Sequence, residues 1–197
     1  MSQRGEYLRL FVACELPAET RRALEEVQRT LRGDPIARAL RWVRPESIHL
    51  TLKFLGSVPA DNLGSITDAL AAAIEPFEFH VRPARLGTFG GARARVVWVG
   101  LDGDVDGLAA LAERVEGALE PLGFARERRP FTGHLTLARV RERVSVAEQR
   151  EVAALIDRTG LPDLPPVALS EVSLIRSILG RGGSEYVRLA TFPEPAS

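Results

Sequence analysis

Apolar residues follow two periods along the chain, and each period predicts a different element. Alternating or short continuous apolar runs predict strands, whereas apolar residues three and four apart predict helices. The predicted strands are Leu8–Leu16, Ala39–Val43, Ser47–Leu55, Phe77–Arg85, Arg95–Leu101, Phe131–Val140, Val167–Leu179 and Tyr186–Ala190. The predicted helices begin at Pro17 and at Pro59 and cover Val105–Leu119 and Val146–Ile156. The last two strands, joined by a turn at Gly180–Ser184, form a predicted hairpin.

The order of elements repeats once along the chain. Each half has a helix, a proline-containing approach and a strand that reads H-L-T-L, at 49–52 and at 134–137. The copies lie too far apart for a solenoid, and the links between strands are too short for a doubly wound parallel sheet. We therefore predict an α+β fold, a single bilobal domain over residues 1–197. Its two pseudo-symmetric lobes would have antiparallel sheets that line a central cleft, with the helices outside.

Composition and charge exclude several classes of protein. Lys+Arg and Asp+Glu both number 26, so no global field attracts nucleic acid or a membrane surface. Cys14 is the only cysteine, which excludes an intrachain disulfide and a thiolate metal cluster. No apolar run approaches the ~20 residues of a membrane span, and the first residues lack an apolar signal core. These features predict a soluble, cytoplasmic protein.

The two H-L-T-L strands carry the candidate chemistry. Residues two apart on a strand share a face, so His49 lies beside Thr51 and His134 beside Thr136. Two imidazoles titrate near neutrality, so that one can remove a proton while the other delivers one. Displacement at phosphorus needs such a pair, and hydroxyl donors can stabilise the charge that grows on the non-bridging oxygens.

The segments around these motifs resemble a known family. They are Arg9–Ala13 (RLFVA), Arg41–Gly56 (RWVRPESIHLTLKFLG) and His134–Arg139 (HLTLAR). Together they are similar to the 2H phosphoesterase superfamily, and within it to the bacterial RNA 2′,3′-cyclic phosphodiesterases, historically named 2′-5′ RNA ligases. The resemblance runs from about Leu8 to Phe192.

The resemblance implies a substrate and a set of roles. The substrate would be RNA with a terminal 2′,3′-cyclic phosphate, hydrolysed to a 2′-phosphate, with weak reverse 2′-5′ ligation. His49 would donate a proton to the leaving oxygen and His134 would activate water. Thr51 and Thr136 would bind the phosphate, and Arg139 would steady it. We expect no metal, no cofactor and no obligatory protein partner, and we expect a monomer.

Basic and aromatic residues near the motifs are further candidates for substrate contact. The segment 126–143 contains six arginines and two glutamates, and Arg44 and Lys53 flank the first motif. Phe11 and Phe54 are candidates to stack on a terminal base, although core packing is the stronger expectation for both.

Several alternatives stay open at this level. A zinc site would need ligands beyond the two histidines, and no carboxylate lies near either motif at a characteristic spacing. His80 has no threonine two residues on and is expected to be an ordinary strand residue. The alternatives to RNA hydrolysis are nucleotide or RNA binding without turnover, action on a small cyclic nucleotide or ADP-ribose derivative, and a structural role of both tetrapeptides as packing strands. One departure from the family pattern is Gly133, where many relatives have proline before the second histidine.

Overall fold

Nine strands and four α-helices make up the part of the chain that the computed structural model describes, residues 6–180 and 183–193. The strands are β1 (Tyr7–Glu15), β2 (Leu40–Trp42), β3 (His49–Pro59), β4 (Phe79–Phe89), β5 (Val96–Gly103), β6 (His134–Val140), β7 (Val167–Leu169), β8 (Val172–Gly180) and β9 (Gly183–Phe192). The helices are α1 (Ala18–Arg32), α2 (Leu63–Ala73), α3 (Val105–Leu119) and α4 (Val146–Arg158).

All the strands belong to one curled antiparallel sheet. Its order is β7-β4-β5-β6-β3-β1-β8-β9, and β2 pairs with β6. The predicted α+β class with antiparallel strands is confirmed. The two motif strands β3 and β6 lie side by side in the middle and pair at Leu50–Leu135. The two halves of the sequence therefore contribute to a single sheet, joined where the motifs meet.

The helices cover one face of this sheet. Buried apolar residues from all four helices pack in one cluster with residues of the strands, among them Leu24, Leu70, Leu111 and Leu155 from the helices and Leu10, Leu50 and Leu135 from the strands. The inward residues of β1, β3 and β6 are apolar at alternate positions, which accounts for this burial. The opposite face of the central strands is left for the cleft. None of the helices in the described ranges is long and apolar enough to cross a membrane.

Most predicted elements are present, and their ends differ by a few residues. Helix α3 has the predicted bounds, and α4 is two residues longer at its carboxyl end. Pro59 ends β3 in register with Tyr7 and caps a 3₁₀ turn at Ala60–Asn62, so that the predicted second helix becomes α-helical only at Leu63. The predicted last hairpin is formed by β8 and β9, although residues 181–182 of its turn lie outside the described ranges.

Strand β3 departs from the predicted alternation just after the first motif. Ala13 of β1 pairs with Thr51, but the preceding Val12 pairs with Lys53, so that Leu52 is an extra residue on β3. Leu52 and Lys53 are consequently both buried, and Phe54 is exposed on the face of the sheet that carries Thr51. A β-bulge of this kind reverses the alternation beyond it.

Strand β6 has the same irregularity at the equivalent position. Trp98 of β5 pairs with Thr136, and Val97 pairs with Ala138, so that Leu137 is the extra residue. Leu137 and Ala138 are both buried, and Arg139 is exposed on the face that carries Thr136. The matching bulges thus place the fifth residue after each histidine beside the motif.

The bulge on β3 overturns the expectation that Lys53 contacts the substrate. The Lys53 side chain is only 3% exposed and points to the helical face, where its ammonium group pairs with Glu116 of α3. The same group donates to the Ala125 carbonyl at 2.8 Å. Strict alternation would have placed Lys53 beside Thr51, and the extra residue Leu52 is the reason that it lies elsewhere.

This buried ion pair leads to a prediction about stability. Lys53→Met and Glu116→Gln should each destabilise the protein by on the order of 3–5 kcal/mol, because each change leaves a buried partner unsatisfied. The double variant Lys53→Met/Glu116→Leu should recover most of that loss, since no unpaired charge then remains in the core. Urea unfolding measured on all three variants checks this expectation.

The exposed pair Arg29–Glu26, with side chains 68% and 61% exposed, provides the matched control. Glu26→Gln should change the free energy of unfolding by no more than about 1 kcal/mol. If the Lys53 and Glu116 variants are as stable as this control, the pair does not stabilise α3 against the sheet.

Candidate active site

The cleft lies over the middle of the sheet, where β3 and β6 meet. It has a volume of about 450 Å³. Both motifs line it through His49, Thr51, His134 and Thr136. Because Leu50 and Leu135 pair antiparallel, His49 lies toward Thr136 and His134 toward Thr51. Each histidine therefore has a threonine hydroxyl on its own strand and another on the neighbouring strand.

The two imidazole rings are held by the same hydrogen bond. Nδ1 of His49 lies 2.9 Å from the carbonyl oxygen of Ser47, and Nδ1 of His134 lies 2.8 Å from that of Thr132. A carbonyl oxygen can only accept, so Nδ1 carries a proton in both rings. The remaining nitrogen, Nε2, is then the atom that gains or loses a proton. The flexible residue Gly133 does not prevent His134 from making the same bond as His49.

Aromatic side chains pack against each histidine. The Phe11 ring stacks on His49 with centroids 4.7 Å apart, and the Tyr186 ring meets His49 edge-on at 5.2 Å. On the other side, the Phe89 ring meets His134 edge-on at 4.8 Å. These contacts restrict the rotation of both imidazoles and exclude water from one side of each.

The two phenylalanines proposed as base contacts have different places. Phe11 lines the cleft but is only 2% exposed and packs under His49 and Tyr186. Its main contact is thus with the catalytic candidate, and the expectation that it stacks on a base is corrected. Phe54 was expected to be a core residue, yet it is 63% exposed and lines the cleft. The bulge at Leu52 is responsible for this exposure.

Burial dominates the acid–base properties of the two histidines. Loss of hydration lowers the pKa of His49 to about 4, although the Ser47 carbonyl and the negative charge of Glu15 act in the opposite direction. Loss of hydration also lowers the pKa of His134, and the positive charge of Arg139 lowers it further. Arg139 acts on His49 in the same sense. The lowered pKa of each ring favours its neutral form.

Arg139 is the one arginine of segment 126–143 that lines the cleft together with both histidines. Arg141 donates through Nε to the Arg38 carbonyl at 3.1 Å, and Arg126 pairs with Glu113 and Glu120. The basic run is thus divided between the cleft and other surfaces. Its contribution at the site comes from Arg139.

Additional residues of the cleft escaped the sequence reasoning. They include Arg9, Arg41, Ser177 and Tyr186. Arg9 shares a face of β1 with Phe11, so alternation contained a signal for it. Arg41 lies opposite Arg139 of β6, and Tyr186 packs against Phe11 and His49; only the sheet topology brings these residues, which are far apart along the chain, together. No carboxylate of the described ranges lines this cleft.

Metal ligands are scarce around the two histidines. Within residues 6–180 and 183–193, no group of three or more histidine, cysteine or acidic side chains is arranged to hold a metal ion. His80 is exposed on β4 and lies 3.4 Å from Glu78. The absence of a required metal stays a prediction that needs a chelator experiment.

Comparison with known proteins identifies repeated similarity over almost the whole chain. The profile described as "LigT like Phosphoesterase" matches residues 15–98 and again residues 99–186. The two matches divide the chain near the middle, in agreement with the sequence repeat. Each match contains one of the two H-L-T-L motifs.

Several curated and solved proteins are similar to this chain. The RNA 2′,3′-cyclic phosphodiesterase of Methanothermobacter thermautotrophicus is 31% identical over 189 residues, which cover 94% of this chain and 98% of that protein. The protein of the same name from Geobacillus stearothermophilus is 29% identical, and the chain spans only 56% of its length. The crystal structure of Escherichia coli LigT complexed with 3′-AMP has a TM-score of 0.72 and 28% identity, and the match covers 95% of this chain and 98% of that one.

The charge of Arg139 leads to a prediction about the histidines that does not depend on turnover. Arg139→Met should raise the pKa of both His49 and His134, because it removes a positive charge that disfavours both imidazolium ions. Titration of the ring protons by NMR measures the two values separately. Arg141→Met is the matched control and should leave both titrations in place. Unchanged pKa values in Arg139→Met would place that guanidinium away from the pair.

Proposed function

The chain belongs to the LigT-like phosphoesterase family, and from this premise we propose that it is an RNA 2′,3′-cyclic phosphodiesterase. The observation that carries the proposal is the convergence of two identically held imidazoles in one arginine-lined cleft. A cyclic phosphate opens when water attacks phosphorus and an ester oxygen leaves. This reaction requires one group that accepts a proton and one that donates a proton, on opposite sides of the phosphorus.

In the proposed mechanism, His134 takes a proton from water through Nε2 as the water oxygen bonds to phosphorus. The bond from phosphorus to the 3′ oxygen breaks, and His49 delivers its Nε2 proton to that oxygen. The product is a 2′-phosphate beside a free 3′-hydroxyl. Proton exchange with solvent then returns both rings to their starting protonation states. By microscopic reversibility, an RNA 5′-hydroxyl can replace water, which would give weak 2′-5′ ligation.

The environment of His49 supports its role as the proton donor once substrate is present. Glu15 is the register partner of His49, and its negative charge raises the pKa of His49. No carboxylate of the described ranges has the same effect on His134. The anionic phosphate raises the pKa of both rings when it binds, and the negative charge of Glu15 raises the pKa of His49 further. In this proposal the phosphate and Glu15 together outweigh the burial that lowers the pKa of His49, so that His49 is the protonated ring in the complex.

Thr51, Thr136 and Arg139 bind the non-bridging oxygens in this proposal. The threonine hydroxyls lie on both sides of the β3–β6 junction, and the Arg139 guanidinium supplies the compensating positive charge. These groups are fixed on strands, so they need little rearrangement as charge accumulates on the phosphoryl oxygens.

The direct test of this function is product analysis with RNA that ends in a 2′,3′-cyclic phosphate, in excess EDTA. We expect complete conversion to a 2′-phosphate end. EDTA should not prevent it, because only two histidines line the cleft, whereas catalytic zinc normally has three protein ligands. His49→Ala and His134→Ala should abolish conversion, and His80→Ala should retain it. Activity that is lost in EDTA and restored by zinc or manganese would contradict the proposed mechanism.

The threonines provide a second, quantitative prediction. Thr51→Val and Thr136→Val should each fold normally and lower kcat by about 10²–10³-fold, because valine suits a strand but lacks the hydroxyl donor. Thr88→Val on β4 is the matched control, since it makes the same change on a strand outside the cleft lining. Steady-state kinetics on the cyclic phosphate measures the loss. If both motif variants match the control, the hydroxyls do not contact the reacting phosphate.

A further inference from the structure

Two arginines face each other directly across neighbouring strands at one side of the cleft. Arg41 of β2 and Arg139 of β6 are register partners, both are exposed, and both line the cleft. Like charges at directly opposed positions of an antiparallel pair destabilise the sheet. A close pair of this kind is therefore expected where an anion binds between or beside the two groups.

Three nearby arginines differ from this pair in having protein partners. Arg38 lies 3.8 Å from Glu148, Arg44 donates to the Ser184 carbonyl at 2.8 Å, and Arg141 donates to a backbone carbonyl. Neither Arg41 nor Arg139 has an ion pair or a side-chain hydrogen bond within the described ranges. The positive charge of these two groups is thus available to a ligand.

Arg41 stands where the cleft opens into an adjoining groove. This groove runs between β2 and the β8–β9 hairpin, and its lining includes Arg41, Arg44, Arg139, Gly180 and Ser184. No carboxylate of the described ranges lines it. A nucleic-acid strand bound with its end at the histidines can continue along this groove without meeting a negative charge.

The other side of His49 has the opposite character. A depression behind that ring is lined by Glu15 and Glu46 as well as by Arg21 and Arg188. Arg188 is already bound to both carboxylate oxygens of Glu15, at 2.7 and 2.8 Å. A polyanion would therefore bind weakly in this depression. This difference in charge between the two sides of His49 favours one direction for the bound strand.

We propose that Arg41 binds the internucleotide phosphate next to the terminal cyclic phosphate, and that the RNA strand leaves the cleft along the groove between β2 and the hairpin. This inference rests on the proposed function and adds a second phosphate site to it. Arg139 serves the reacting phosphate, and its cross-strand neighbour Arg41 serves the next one. Arg41 would then determine the preference for RNA over a cyclic mononucleotide.

The test compares three substrates in steady-state kinetics: a 2′,3′-cyclic mononucleotide, a dinucleotide ending in the same cyclic phosphate, and that dinucleotide with an uncharged methylphosphonate linkage. Arg41→Gln should raise KM roughly tenfold for the charged dinucleotide, the size expected for one charge-assisted contact. It should leave KM unchanged for the other two substrates. The slope of log KM against log salt should fall by about 0.7 for the charged dinucleotide, as for one lost contact to a single strand.

Two further variants complete the design. Arg22→Gln removes an equal charge from an exposed position on α1 and should behave as wild type with all three substrates. Arg41→Lys keeps the charge and should restore part of the preference. An equal rise of KM with all three substrates in Arg41→Gln would place Arg41 at the reacting phosphate. If KM changes with none of the three substrates, Arg41 does not bind a second phosphate. Either result overturns the inference.

Failure of the proposed function has a different signature. In that case the wild-type protein hydrolyses none of the three substrates. Calorimetric binding of the corresponding dinucleotides with a 2′-phosphate end then replaces KM, because it needs no turnover. Tighter binding of the charged linkage that disappears in Arg41→Gln still supports the site. Equal binding of both linkages by the wild type contradicts it.

Discussion

The pairing of β3 with β6 through Leu50 and Leu135 is the contact on which the cleft depends. These two leucines are fully buried and belong to the core shared with the helices, so the junction is stabilised by apolar burial on one face. The other face then carries both histidines and both threonines at positions set by the strand period. A pair of strands that met one residue out of register would turn these polar groups toward the helices. The apolar residues of the motif thus determine where its polar residues lie.

The two motif strands carry matching bulges, but the residues that follow these bulges differ between the two sides of the site. The extra residues Leu52 and Leu137 place Phe54 and Arg139 at equivalent positions beside the threonines. One half therefore contributes an exposed aromatic ring and the other a guanidinium group. The same shift sends Lys53 into the core to Glu116, whereas Ala138 fills the equivalent position without a charge. Divergence at two positions after identical tetrapeptides is enough to give the two sides of the cleft different side chains.

Periodicity was sufficient to predict most elements of the fold, and the repeated tetrapeptide was sufficient to name the two histidines that meet in the cleft. The helices and the two motif strands follow from apolar spacing, and the repeated tetrapeptide identified His49 and His134 as candidates. The bulges were not predictable, since an extra residue is defined by the register of the partner strand and leaves the local sequence pattern unchanged. That is why Lys53 was misplaced and why Phe54 was expected in the core. Arg41 and Tyr186 depend on sheet order, which local sequence does not specify.

The two histidines share one geometry but not one environment, and they have different steps in the proposed mechanism. The most direct test is to assay His49→Ala and His134→Ala on a substrate whose leaving group needs no protonation, beside the natural cyclic phosphate. We expect this activated substrate to restore turnover to His49→Ala to a much greater extent than to His134→Ala, since only the proton donor becomes dispensable. Selective rescue of His134→Ala would reverse the two roles. Near wild-type turnover of both variants on the natural substrate would contradict the two-histidine mechanism itself.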